Sequence, residues 1–233
     1  MKFRVIILML FWGAGVIRGQ ENRFASIPPD NVIHNYLTEA NTYAALYSGK
    51  AETPYDRQYA NHPYFETERY VSGTLCYNRV VYKDVLMRFD LFRNELTVIF
   101  PGRAFPIVLN NEKFEYAVLN GATIVLPDSE TKSKDKFLVL LLNGAYPVVR
   151  NYNIGIVSST ARTILYSFSI RNQYAIYING VPRAVKNKSS ILKLFPDRRK
   201  ELNEFAKQHK LNFKHEIEQS IIALVNHYEH LNK

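Results

Sequence analysis

Asn-Gly dipeptides beside apolar segments constrain the fold of this 233-residue chain more than any other feature. Asparagine and glycine tolerate the positive φ angles of a type I′ turn, so an Asn-Gly pair between apolar runs strongly indicates a β-hairpin. The three pairs are Asn120-Gly121, Asn143-Gly144 and Asn179-Gly180. Two weaker turn candidates of the same kind are Asn78-Arg79 and Arg93-Asn94. Together they predict an antiparallel sheet over residues 70–185.

The hydrophobic pattern between these turns supports strands. Apolar residues recur at every second position in 95–100 and in 164–170, which is typical of a strand with one buried and one wetter face. Residues 137–142, Phe-Leu-Val-Leu-Leu-Leu, do not alternate and therefore indicate a strand that is covered on both sides. Helices are the expected cover for the second face.

The C-terminal residues 186–233 change to a helical period. Pro196-Asp197 suits the first turn of a helix, and a second apolar stripe at helical spacing runs from Ile217 to Leu231. We therefore expect a C-terminal pair of helices. The predicted fold class is α+β, a curved antiparallel sheet of roughly eight to eleven strands with this helical pair packed on it.

The segment before the sheet, residues 20–69, has a weaker pattern. Apolar residues from Val32 to Tyr47 suit a helix after Asp30, whereas residues 48–68 are polar and aromatic without a clear period. We interpret residues 48–68 as a long ordered loop. Residues 20–233 are then expected to form a single domain.

The first nineteen residues predict export. Lys2 and Arg4 form a basic start, residues 5–17 are almost wholly apolar, and Gly19 is a small residue near a cleavage site, as in a secretory signal peptide. The apolar run is shorter than the roughly 20 residues of a membrane span. The alternatives are an uncleaved anchor and a buried first helix. We expect a periplasmic or extracellular protein without a transmembrane span after cleavage, and export argues against a nucleic-acid partner.

Positive charge is concentrated towards the C-terminus. Without the three basic residues of the signal peptide, the chain has 27 basic and 21 acidic residues. Residues 183–214 alone contain ten basic residues and three acidic ones. Charge concentrated in this way can steer an acidic partner towards one surface. The candidate anion-binding residues are Arg183, Lys186, Lys188, Arg198, Arg199 and Lys200.

Arg198, Arg199 and Lys200 lie in the first turn of the helix predicted at Pro196. A helix N-terminus carries a partial positive charge and attracts anions. We therefore expect these residues to contact an anionic envelope component, such as lipid head groups or lipopolysaccharide, or an acidic envelope protein. The alternative is a solvated basic face that serves solubility.

The sequence contains no nucleophile elbow, zinc-protease motif, phosphate loop or dinucleotide-binding glycine pattern. Cys76 is the only cysteine, so no intramolecular disulfide can form, and a cysteine in the middle of a strand is usually a packing residue. We expect no catalytic residue and no cofactor. A hydrolase that uses Asp84, Asp90, Glu95 or Cys76 is an alternative.

Histidines near the C-terminus are candidate metal ligands. His227 and His230 share one face of the predicted last helix, with His209 or His215 near in sequence, and imidazoles bind zinc or copper. Two histidines do not complete a site. We therefore expect a solvated helix face and no metal.

Several short segments also carry a family resemblance. They are residues 46–50, 62–65, 73–77, 85–90, 94–96, 189–197 and 226–231. Their order resembles a group of uncharacterised exported proteins of Bacteroidetes-type bacteria, most specifically in the Lys-Leu-Phe-Pro-Asp segment at 193–197. The resemblance implies a location in the cell envelope and a one-domain organisation, and it implies no catalytic residue.

These observations predict a non-enzymatic envelope protein that binds a partner or ligand. One alternative is a carrier of lipids or other apolar ligands, because a strongly bent sheet could form a half-barrel with an apolar groove. That alternative requires a large greasy cavity. The hydrolase alternative requires a polar cleft in which acidic side chains converge.

Overall fold

The computed structural model describes residue 46 and residues 49–99, 105–127, 136–159 and 165–232. The predicted signal peptide at 1–19 and the helix expected after Asp30 lie outside these described residues. The strands are β1 (Lys50–Ala51), β2 (Val71–Tyr77), β3 (Val80–Asp90), β4 (Glu95–Ile99), β5 (Ile107–Val108), β6 (Phe114–Leu119), β7 (Ala122–Val125), β8 (Leu138–Leu142), β9 (Val148–Ser159), β10 (Leu165–Ile178) and β11 (Val181–Val185). The helices are α1 (Lys188–Leu194), α2 (Arg199–Gln208) and α3 (Ile217–Leu231).

The strands form one antiparallel sheet in the order β1-β5-β4-β3-β2-β6-β7-β8-β9-β10-β11. The sheet is open, with β1 and β11 at its two edges. From β6 to β11, neighbours in the sheet are also neighbours in the chain, as short antiparallel connections favour. The predicted α+β class, an antiparallel sheet followed by C-terminal helices, is confirmed.

Two of the three Asn-Gly turns are confirmed. Asn120 and Gly121 have φ angles of 50° and 76°, and Asn179 and Gly180 have φ angles of 51° and 71°, as a type I′ turn requires. The weaker candidate Asn78-Arg79 turns in the same way, at 53° and 63°, between β2 and β3. Asparagine tolerates this left-handed region well, whereas Arg79 adopts it at a cost that a glycine would avoid.

The turn predicted at Asn143-Gly144 is wrong. Neither residue has a positive φ, and the connection from β8 to β9 spans residues 143–147. The cause is tertiary: the Glu229 carboxylate of α3 lies against Gly144 and accepts a hydrogen bond of 2.8 Å from the Tyr146 backbone N–H. A Cβ on Gly144 would lie 2.5 Å from Glu229 Oε1. The glycine at this position therefore provides room for a helix side chain.

The sheet has buried residues on both faces. Phe89, Phe114 and Phe137 centre one cluster, with ring centroids 4.8–6.1 Å apart in edge-to-face geometry. Cys76, Tyr116, Val125, Leu138, Val149 and Tyr177 form a separate cluster. In β8, Leu138 belongs to the second cluster and Val139 to the first, so the start of this strand is buried on both sides as predicted, whereas Leu140–Leu142 are half-buried.

A third cluster lies under the helices. Its sheet residues are Val148, Ile176 and Val185, and its helical residues include Ile191, Leu202, Ile221 and Leu224. The predicted helical pair is present as α2 and α3, and the shorter helix α1 precedes it. Asn187 and Ser190 start α1 through a capping box, which the sequence analysis did not anticipate.

Candidate functional site

The basic residues proposed from the sequence lie on the helical side of the protein. Arg199 and Lys200 are the first two residues of α2, and both are exposed. A 3₁₀ turn at Pro196–Arg198 leads directly into this helix. The helix dipole disfavours cations at an N-terminus by about 0.3–1 kcal/mol each. Asp197 in the 3₁₀ turn and Glu201 in the first turn of α2 offset only part of this cost.

Arg198 differs from its two neighbours because it has internal partners. Its Nη1 donates to Glu201 Oε1 at 3.4 Å, and its Nη2 donates to the Leu231 carbonyl oxygen at 3.4 Å. The second bond joins the start of α2 to the end of α3, where unpaired carbonyls favour a cation. Arg198 therefore acts mainly in packing the two helices.

Lys188 joins α1 to the same face of α2. Its Nζ donates to Asn203 Oδ1 at 3.0 Å. Arg199 and Lys200 precede Asn203 by four and three residues, so they lie beside it on one side of the helix. The structure therefore brings Lys188, Arg199 and Lys200 into one patch.

Arg183 and Lys186 lie just before α1, on β11 and on the link that follows it. Both are exposed. We call Arg183, Lys186, Lys188, Arg199 and Lys200 the cationic surface. Within the part of the chain that the structure describes, the side chains of all these residues except Lys188 make no hydrogen bond or ion pair. Their charges are therefore available to an outside partner.

The carboxylates of the hydrolase alternative have separate local roles. Asp90 and Glu95 face each other across β3 and β4, but Glu95 pairs with Lys50 at 2.7 Å. Asp84 is exposed and lies six residues before Asp90, about 20 Å along a strand. Cys76 is buried on β2. The structure thus brings Asp90 and Glu95 together but does not unite all four residues.

Asp90 holds the turn between β3 and β4. Its Oδ2 accepts the Tyr55 hydroxyl at 2.6 Å, and its Oδ1 accepts the backbone N–H groups of Phe92 and Arg93, each at 2.9 Å. Burial raises the pKa of the Asp90 carboxyl above its ordinary value, while these hydrogen bonds oppose that shift. A buried acceptor with three donors acts here as a structural cap.

Burial also makes Cys76 a poor nucleophile. It raises the pKa of the thiol to about 12, with a smaller contribution in the same direction from the Glu115 carboxylate. The reactive species is the thiolate, so almost none is present near neutral pH.

We expect Cys76 to be unreactive towards Ellman's reagent in the folded protein at neutral pH. The same thiol should react completely after unfolding in urea, which is the control for its presence. Absorbance of the released thiolate measures both reactions. Labelling of the folded protein at the rate of a small-molecule thiol would contradict the burial of Cys76 and would support the hydrolase alternative.

A half-buried polar network that local sequence patterns did not reveal fastens the segment before β2 to the sheet. The Arg88 guanidinium on β3 bonds both carboxylate oxygens of Glu52, at 2.8 and 3.0 Å, and stacks over the Tyr64 and Tyr70 rings. The Tyr70 hydroxyl also donates to Glu52, at 2.9 Å. These residues are up to 36 positions apart, so no local motif reveals the network.

The C-terminal histidines pack against a phenylalanine. His209 and His227 stack on the Phe205 ring, with centroids 4.0 and 3.9 Å away. His230 Nδ1 lies 2.7 Å from the Asn226 carbonyl oxygen. Among the described residues, no three His, Cys, Asp or Glu side chains gather as a metal site would require.

Two clefts on the described surface have linings of mixed polar and apolar character. One, of about 400 Å³, lies beside Lys50, Asn94 and Glu95. The other, of about 470 Å³, lies beside Asn172, Gln173 and Lys186. The second cleft is partly apolar, since Ala175, Val185 and Ile217 also line it, and the lipid-carrier alternative stays a prediction.

Comparison with known proteins identifies no relative: no protein-family model, curated protein or solved structure matches this chain. The resemblance to exported bacterial proteins therefore stays a prediction. Within the described ranges, no helix is long and apolar enough to cross a membrane.

Proposed function

We propose that this protein is an exported, non-enzymatic binding protein of the cell envelope whose cationic surface attaches it to anionic lipid head groups. The observation that carries the proposal is that Arg199 and Lys200 are exposed at a helix N-terminus without internal partners among the described residues. Cations at this position oppose the helix dipole, so folding stability alone does not account for them. An anionic surface would relieve this unfavourable interaction.

The arrangement of charges supports a surface contact. Lys188 is bonded to Asn203, on the side of α2 that also presents Arg199 and Lys200. Near an anionic membrane each Lys or Arg contributes about 1 kcal/mol of attraction. The cationic surface therefore has enough charge for reversible attachment without an inserted helix.

The polar groups elsewhere support the non-enzymatic part of the proposal. Asp90 bonds Tyr55 and two backbone amides, Glu95 pairs with Lys50, and Arg88 pairs with Glu52. These contacts fasten the loops to the sheet. The signal-peptide pattern at residues 1–19 supports delivery to the envelope.

Replacing both Arg199 and Lys200 with alanine is expected to weaken binding to anionic vesicles about 30-fold. Two lost cations at about 1 kcal/mol each give this factor. Co-sedimentation with vesicles of equal parts phosphatidylglycerol and phosphatidylcholine measures it at low salt.

The matched control replaces Lys83 and Lys113, two exposed lysines on the sheet side, with alanine. It removes the same charge and should bind like the wild type. Equal weakening by both double variants would show only a net-charge effect and would contradict a specific cationic surface.

A further inference from the structure

Among the residues that the structure describes, the long strand β10 has an unpaired stretch along one edge. On one side it pairs with β9 from Leu165 to Ile176 without interruption. On the other side β11 pairs only with residues 174–178. Further along this second edge, the segment before β2 bonds to Tyr166 and Phe168. Residues 169–173 therefore lie between two occupied stretches of the same edge.

The direction of the backbone groups identifies which amides face outwards. In an antiparallel sheet every second residue bonds to the same neighbouring strand. Tyr177 N–H bonds Pro147, on the β9 side, whereas Tyr166 and Phe168 bond the other side. The N–H and C=O groups of Ile170 and Asn172 must then point to the open edge. No described residue bonds to them.

Specific side chains set the two limits of this unpaired stretch. At one end the Asn61 side-chain amide makes the pair of hydrogen bonds that a neighbouring strand residue would make. Its Nδ2 donates to the Phe168 carbonyl at 2.9 Å, and its Oδ1 accepts the Phe168 N–H at 2.7 Å. At the other end the Asn187–Ser190 capping box starts α1 and turns the chain away after β11. We call the edge between Phe168 and Tyr174 the edge slot. Its six residue steps span about 20 Å.

Within the described ranges, the outer edge of β11 is protected and the edge slot is not. Alternate residues of β11 bond β10, and the residues between them face the outer edge. Pro182 is one of these outward-facing residues, and it has no N–H that a further strand could bond. The edge slot contains no proline. An exposed strand edge of this kind is a template for strand addition.

The surroundings of the edge slot combine apolar surface with polar and basic side chains. The cleft of about 470 Å³ opens at Asn172, Gln173 and Lys186, and Arg171 is exposed on the same stretch. The nearby Glu218 carboxylate is already paired with Arg150 at 2.9 Å. The side-chain oxygen of Asn151, which also lines the cleft, is buried and has no partner. The site thus offers backbone groups and two cations, Arg171 and Lys186, that pair with no acidic side chain among the described residues.

We propose that the edge slot binds an extended, acidic peptide segment of a partner protein by β-strand addition. The peptide backbone bonds the N–H and C=O groups of Ile170 and Asn172, which gives it the direction of an added strand. Its carboxylates lie near Arg171 and Lys186, which select against basic peptides. This site goes beyond the proposed membrane attachment and depends on a different observation.

The probe for this proposal is a fluorescein-labelled peptide of alternating valine and glutamate. Fluorescence polarisation measures its binding to the full chain, and a valine–lysine peptide of equal length is the control. Hydrogen exchange followed by NMR then locates the contact. At saturation the Ile170 and Asn172 amides should exchange about tenfold more slowly, as new backbone hydrogen bonds require.

Three results of the peptide experiments would overturn the proposal. They are no binding of the acidic peptide, equal binding of the lysine peptide, and slowed exchange confined to other residues. Protection of Ile170 and Asn172 in the free protein that grows with its concentration would also overturn it, because the occupant would then be a second copy of this chain.

The variant Asn172→Pro removes one outward N–H and leaves the β9 ladder intact, so it should fold and lose peptide binding. The double variant R171E/K186E should weaken binding at least about tenfold, whereas K83E/K113E, with the same change in charge, should bind like the wild type. If Asn172→Pro fails to fold, the charge-reversed pair decides. Wild-type binding by a folded N172P, or by R171E/K186E, would overturn the proposal. R199A/K200A should retain peptide binding, so failure of the lipid proposal can be distinguished from failure of the peptide proposal.

Discussion

Replacing Phe114 with alanine is expected to lower the free energy of unfolding by about 3–5 kcal/mol, as for other buried phenylalanines. Phe114 is 1% exposed, and its ring meets Phe89 and Phe137 edge to face, with centroids 6.1 and 5.0 Å away. Its loss would leave a cavity at the centre of the first apolar cluster. Urea unfolding followed by circular dichroism measures the change.

The control for this variant is Phe105→Ala. Phe105 is 71% exposed, so the same substitution should change the free energy of unfolding by less than about 0.5 kcal/mol. Equal losses for Phe105→Ala and Phe114→Ala would contradict the assignment of Phe114 to the core.

Replacing Arg88 with leucine is expected to destabilise the protein by about 3 kcal/mol. The Glu52 carboxylate would lose its main partner, and leaving one charge of a buried pair costs about 3–5 kcal/mol. We expect the lower end of this energy range because the Arg88 and Glu52 side chains are still 14% and 11% exposed to solvent. Urea unfolding measures the loss.

The double variant R88L/E52L tests whether Arg88 and Glu52 stabilise the fold as a pair or contribute independently to the free energy of unfolding. Because it leaves no unpaired charge, it should be more stable than Arg88→Leu alone. As a control, Lys50→Ala breaks the exposed pair with Glu95 and should cost less than about 1 kcal/mol, because the Lys50 side chain is 70% exposed. A double variant that is as unstable as the sum of both single variants would contradict the pairing.

Local sequence patterns predicted the parts of the fold that depend on near neighbours. The turns at Asn120-Gly121 and Asn179-Gly180 follow from residues that tolerate a positive φ. The same dipeptide at Asn143-Gly144 did not form this turn, because Glu229 from α3 occupies the space beside Gly144. That contact joins residues more than eighty positions apart, so the hairpin pattern could not reveal it.

The candidate sites also combine features that the local sequence reveals with contacts between distant residues that it does not reveal. The clustering of charge between residues 183 and 214 was visible in the sequence, but the internal partners of Arg198 and Lys188 were not. No local pattern in the sequence indicated that Arg88 pairs with Glu52, which lies 36 positions away. The edge slot also required the strand order, because its limits are set by Asn61 and β11.

The most direct test of the proposed function is the binding of the wild-type protein to phosphatidylglycerol-containing vesicles as salt increases. Between about 0.01 M and 0.15 M salt the Debye length falls from about 30 Å to 8 Å. We expect strong binding at the lower concentration, markedly weaker binding at the higher one, and none to pure phosphatidylcholine. Absence of binding to anionic vesicles at low salt, or equal binding to both kinds of vesicle, would contradict a role for Arg199, Lys200 and their neighbours in attachment to an anionic surface.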